Sequence, residues 1–103
     1  MSRNFRGSSW LPQPATGHYE LARAYWGQNR WQDAAPHARK AVGLQPALAP
    51  AYVVLGNVML RERNAPGALK AFKEYLRLEP KGAMAAPVRD MVIKIEKALG
   101  SPK

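Results

Sequence analysis

The chain has 103 residues, 47% of them apolar, and carries 16 Lys and Arg against 7 Asp and Glu, a net charge of +9. That length holds one modest core, and the apolar content is that of a folding chain, not a disordered one. There is no cysteine, which excludes disulfides, thiolate metal sites and a cysteine nucleophile but leaves the compartment open.

No stretch approaches the roughly 18 apolar residues of a membrane span. The N-terminal stretch to Trp10 bears Arg3 and Arg6 without an apolar segment, so it does not read as a secretory signal. Arg- and Ser-bearing and free of acid, it faintly echoes a transit peptide, although Gly7, Ser8 and Ser9 do not support the amphipathic helix such a segment needs. Lacking a signal and a span, the chain is expected in the cytoplasm. The positive charge is spread along it, with +2 in residues 1–14, +2 in 15–48, +3 in 49–82 and +2 in 83–103. No basic run reads as a nucleic-acid arm. The excess fits either a solvated basic surface or a preference for acidic partners.

In chain order, Gly7, Ser8, Ser9, Pro12 and Pro14 make residues 1–14 an irregular tail. Thr16 is a candidate N-cap for a first helix to about Gln28, with Gly27 and Asn29 at its exit. A second helix spans about Trp31 to Val42, closed by Gly43 and Pro46. Pro36 lies well inside it, so it should kink that helix or delay its start. Pro50 sits in the first turn of a third helix that ends near Arg63. Asn64 caps a fourth, with Pro66 in its first turn and Pro80 and Gly82 beyond its end. A fifth helix runs from about Ala83 to Leu99, stopped by Gly100 and followed by a short tail, 101–103.

Sliding the chain so that Ala15 meets Ala49 lays 15–48 onto 49–82 without a gap. Leu21 then falls on Leu55, Ala22 on Gly56, Ala34 on Ala68, Leu44 on Leu78 and Pro46 on Pro80. That period, roughly 34 residues, belongs to arrays of helix-turn-helix repeats, which present surfaces and rarely perform chemistry. The matching residues resemble the tetratricopeptide repeat. Leu21, Ala22, Tyr25, Ala34, Ala41 and Pro46 fit its pattern in the first copy, and Tyr52, Leu55, Gly56, Ala68, Phe72 and Pro80 in the second. The resemblance implies an all-α fold, a right-handed α-α superhelix of two repeats plus a capping helix, with 15–100 as one domain. The small residues let paired helices approach closely, and the large ones fill the surrounding space.

Three departures stand out: His18 and Ala38 in the first copy where the family places aromatics, and Tyr75 in the second where it places Ala. Tyr75 is expected to face small residues at the start of the fifth helix, Ala85 and Ala86. On that helix Met84, Val88, Met91, Val92, Ile95 and Leu99 form one apolar stripe, and Arg89 stands where a third repeat would carry Leu. Ile93 lies off the stripe, either as a lone exposed residue or as a contact with another chain.

Catalytic constellations are missing. The serines lie at 2, 8, 9 and 101 and the only threonine is Thr16. No glycine-rich phosphate loop is present, and His18 and His37 are distant in the sequence, on different helices, without metal-ligand spacing. His37 is expected to face solvent, and His18 to pack at the end of the first repeat. No cofactor is expected.

The resemblance places a binding groove on the first helix of each repeat. Mapped onto this chain, its candidate residues are Tyr19, Arg23, Trp26, Val53, Asn57, Leu60 and Arg61, with Lys94 from the fifth helix, whose corresponding face also includes Met84, Met91 and Ile95. Aromatic residues and Arg are enriched in binding hot spots. Asn57 fits the position where many members hold a peptide backbone. The rest of the clamp for acidic chaperone tails is missing, since Tyr19, Arg23, Met84 and Val88 replace its Lys, Asn and Arg. The expected function is a non-catalytic adaptor or scaffold that binds a protein or peptide of mixed apolar and acidic character. The alternative is a basic helical-repeat nucleic-acid binder, against which the gapless repeat register argues; a third reading is an array whose role is assembly. Two repeats fall short of the roughly three that arrays need, so a homo-oligomer is also expected. Trp10 and Leu11 are expected to dock on the repeats, in their own chain or a partner's, covering part of the groove.

Overall fold

The computed structural model describes residues 14–100, which form five α-helices. These are α1 (Ala15–Gly27), α2 (Trp31–Leu44), α3 (Ala49–Arg61), α4 (Ala65–Leu78) and α5 (Ala85–Ala98). Each helix packs on the next, and α1 also touches α3. The architecture is all-α: two helical hairpins stacked in register, with α5 laid on the second. The expected docking of Trp10 and Leu11 and the C-terminal tail lie outside the described residues.

The turn inside each hairpin is one motif used twice. Asn29 and Arg63, at equivalent places in the two repeats, both take left-handed backbone with φ of 63° and 62°. After α1 the Arg30 N–H reaches the Tyr25 carbonyl at 2.9 Å, and after α3 the Asn64 N–H reaches the Met59 carbonyl at 2.8 Å. The Asn29 and Arg63 N–H groups bond the carbonyls of Trp26 and Leu60. This paired arrangement is the Schellman C-cap. It ends α3 at Arg61, short of the expected Arg63. Asn64 then caps α4 as expected, its Oδ1 accepting from the Gly67 N–H at 3.0 Å, a contribution of about 1 kcal/mol.

Other boundaries shift. Thr16 does not cap α1: Pro14 stands at the N-cap with extended backbone, and Thr16 falls inside the first turn. Helix α2 runs past Val42 and takes in Gly43 and Leu44, closed by the Gln45 N–H on the Ala41 carbonyl at 2.9 Å. Pro36 does not delay its start, because Asp33 and Ala34 both already bond the Arg30 carbonyl. Helix α5 begins at Ala85, not Ala83.

The two hairpins are packed differently. Every buried residue of α1 and α2 is alanine: Ala15, Ala22, Ala34, Ala35, Ala38 and Ala41. Four of these, Ala22, Ala34, Ala35 and Ala38, meet Val54, Leu55, Val58 and Ala71 of the second repeat in one cluster. The other cluster holds Phe72, Tyr75, Val88, Val92 and Ile95. Gly56 makes that core feasible: a Cβ there would come within 2.5 Å of the Phe72 ring. The first repeat carries Ala22 and Ala38 at these two places, so the glycine and the large ring are exchanged together.

Tyr75 is buried beside Ala85, as expected, but Ala86 is exposed. The close approach is instead to Gly82, where any side chain would strike the phenol, and the Tyr75 hydroxyl accepts a 3.1 Å bond from the Met84 N–H. The apolar stripe of α5 is narrower than expected. Val88, Val92 and Ile95 are buried and Met91 is half-buried, but Met84 and Leu99 are exposed. Two ion pairs cross between helices, Arg39–Glu62 at 2.6 Å and Lys73–Glu96 at 3.1 Å; so exposed, each adds at most about 1 kcal/mol.

Candidate binding groove

Six of the eight sequence-derived groove residues line two cavities that adjoin. Tyr19, Arg23 and Trp26 of α1 face Pro50, Val53, Val54 and Asn57 of α3 across a cavity of about 290 Å³ that Met84 also borders. The next, about 310 Å³, is lined by Val53, Asn57 and Phe72 together with Met84, Val88, Asp90, Met91 and Lys94. Val53, Asn57 and Met84 belong to both. The groove therefore runs from α1 over α3 to α5.

Local structure explains the alignment. Tyr19, Arg23 and Trp26 recur at i, i+4 and i+7, one face of a helix. Val53 and Asn57 do the same on α3. Asn57 is half-buried where the cavities meet, and among the described residues no hydrogen bond ties down its amide. Arg23 pairs with Glu20 at 3.2 Å, but both side chains are well exposed, so the guanidinium is weakly held. The groove thus has an apolar floor, an amide in the middle and a cation toward each end, Arg23 and Lys94.

Leu60 and Arg61 line neither cavity. Leu60 is half-buried against the core formed with α5. Arg61 is exposed and stacks over the Trp31 ring, 5.6 Å from its centroid. Met84 and Met91, expected both in the stripe and on the groove face of the fifth helix, line the cavities too.

His37 corrects a second expectation, because it does not face solvent. It is half-buried, with Nδ1 3.1 Å from His18 Nδ1. The two rings stack with centroids 5.3 Å apart, Tyr25 stacks on His37 at 5.8 Å, and the Arg30 guanidinium lies 4.8 Å over Tyr25. Partial burial, then the nearby charges of His37 and Lys40, hold the His18 imidazole below its usual pKa. At the equivalent place in the second repeat, Tyr52, Leu55, Met59, Gly67, Lys70, Ala71 and Glu74 border an apolar cavity of about 280 Å³. There Ala71 stands where His37 stands in the first repeat, so the imidazole fills what is otherwise open. The Tyr52 hydroxyl donates to the Pro46 carbonyl at 2.8 Å, and its pKa is raised by burial and by Glu74.

Among the described residues no group of three His, Cys, Asp or Glu could hold a metal ion, and no helix is long and apolar enough to cross a membrane. Stacked helical hairpins with a lined groove define a helical-repeat interaction fold. The chain belongs to the tetratricopeptide repeat family, whose model matches residues 12–83. Repeats of this family generally mediate protein–protein interaction. No curated protein matches the chain.

Proposed function

We propose that residues 15–100 act as one non-catalytic interaction domain that holds an extended segment of a protein partner in the groove. The observation that supports this reading is the continuity of the two cavities through Val53, Asn57 and Met84. Tyr19, Trp26 and Val53 supply apolar area, and aromatic side chains anchor partners at low entropic cost. Asn57 offers a donor and an acceptor to a peptide backbone. Arg23 and Lys94 suit a segment with a carboxylate toward either end. Leu60 and Arg61 take no part in this contact.

The excess charge does not favour nucleic acid in this groove. Arg23, Arg30, Arg39, Lys73 and Arg77 each pair with an acid, on several faces of the stack.

The test is selection of random peptides on the intact protein, followed by binding to Trp26→Ala combined with Asn57→Ala. Selected peptides should be rich in apolar and acidic residues and lose about tenfold or more in affinity for the double variant. Peptides that bind both proteins equally place the site elsewhere. Sub-micromolar binding of single-stranded RNA that survives moderate salt would instead support the nucleic-acid reading.

A further inference from the structure

His18 and His37 are the only histidines of the chain, and the crossing of α1 and α2 brings them together. Their Nδ1 atoms lie 3.1 Å apart and their ring centres 5.3 Å apart, so each ring turns its Nδ1 edge toward the other. Among the described residues neither Nδ1 has another hydrogen-bond partner. Both rings are half-buried, which leaves the gap between them within reach of solvent. The repeat frame does not require this pair. At the equivalent places the second repeat carries Tyr52 and Ala71 and packs with an open cavity beside them.

The distances suit a partner other than a proton. Two imidazole nitrogens bound to one tetrahedral zinc ion, each at about 2.0–2.1 Å, lie roughly 3.4 Å apart with their ring centres about 5.2 Å apart. The observed 3.1 Å and 5.3 Å are within a few tenths of an ångström of both. Small rotations of the two rings therefore exchange one N–H···N bond for two N–metal bonds without moving either helix. The ring that donates its Nδ1 proton carries it on Nε2 instead, so no net proton is released.

We infer that His18 and His37 form a divalent transition-metal site, both ligating through Nδ1 and with water completing the shell. Imidazole ligands select zinc, copper or nickel over magnesium and calcium. Lys40 and Arg30 weaken the site by repulsion, although Asp33 pairs with Arg30 at 2.9 Å. With two protein ligands and cations nearby, the bound ion is exchangeable. It would fasten α1 to α2 in the repeat whose buried residues are all alanine, and an ion bound only by the folded state stabilises that state. The helix thus held is the one that carries Tyr19, Arg23 and Trp26. His18 and His37 line neither groove cavity, so the site does not depend on what the groove holds.

With no cysteine and no third histidine, the full chain prepared without a histidine tag allows a direct test. In isothermal titration at pH 7.5 it should take up one Zn²⁺, and His18→Gln and His37→Gln should each bind at least about tenfold more weakly. Mg²⁺ should not compete. No uptake, or equal uptake by the unsubstituted chain and His37→Gln, overturns the inference. Uptake of one ion per two chains also overturns it, because the ion would then bridge copies. In the unsubstituted chain, imidazole nitrogen NMR should show both Nδ1 signals shifting with Zn²⁺; ligation through Nε2 contradicts the geometry. Zn²⁺ should also slow amide exchange in α1 and α2 and leave α4 unchanged, and unchanged exchange in α1 and α2 would rule out the clamp.

Discussion

Where the second repeat places Phe72 the first places Ala38, and where the second leaves a cavity beside Ala71 the first inserts His37. The backbone is repeated faithfully, down to the left-handed residue in each hairpin turn, but the means of packing is not. The second repeat and α5 bury large apolar groups, whose stabilisation scales with area at about 25 cal/mol per Å². The first repeat buries only alanines and adds a polar stack of Arg30, Tyr25, His37 and His18. The comparison teaches that one helical frame accommodates both solutions, provided that the small residue at Ala22 or Gly56 and its facing residue change together. It also implies a division of roles. The second repeat anchors the fold, and the first presents Tyr19, Arg23 and Trp26 to the groove.

The largest break in this comparison comes from the ring at its centre. Phe72→Ala should destabilise the protein by about 3–5 kcal/mol in chemical denaturation. Adding Gly56→Ala recreates the Ala22/Ala38 pair of the first repeat and should recover part of that loss; a strictly additive double variant would show that the two positions are not coupled.

Next comes Pro36, whose equivalent in the second repeat is Lys70. Pro36→Lys restores a donor within α2 and should raise the denaturation midpoint, by about 1–3 kcal/mol in stability. A smaller gain follows at Arg63, a charged side chain in a backbone conformation better suited to glycine. Arg63→Gly should stabilise by about 0.5–1 kcal/mol, whereas Asn29→Gly should change little, because Asn tolerates that conformation.

The smallest effect is on pH dependence. Because the His18 pKa is lowered in the folded state, the unfolded chain binds protons more readily. The stability is complete above the unfolded value of about 6.5 and declines as pH falls from there toward the folded value. Partial burial, then His37 across the 3.1 Å contact and Lys40 beyond it, oppose the charged form of His18. Melting temperatures at pH 7.5 and 5 should differ more for the unaltered chain than for His18→Gln; an equal difference would remove the pair from the account.

Much of the frame was legible because it is local. Asn64, Pro50 and Pro66 mark helix starts through their own backbone chemistry, and the matched small residues and prolines fix the register. The cavity lining was legible where the resemblance maps residues onto one helix face, as for Tyr19, Arg23 and Trp26. It was lost where another helix decides, since Leu60 is drawn into the core that α5 completes. The histidine stack was illegible for the same reason: His18 and His37 are far apart along the chain, and only the crossing of α1 and α2 joins them. Thr16 misled because Pro14, with its fixed φ, already starts the helix. Leu21 fits the repeat pattern as well as Leu55 does, but pattern does not say whether a neighbour is present.

Native-state hydrogen exchange measures the division of roles directly. Amides in the centres of α3, α4 and α5 should exchange only through global unfolding, and those of α1 and α2 through a separate opening of lower free energy. Exchange of α1 and α2 at the same free energy as α4 would contradict the account.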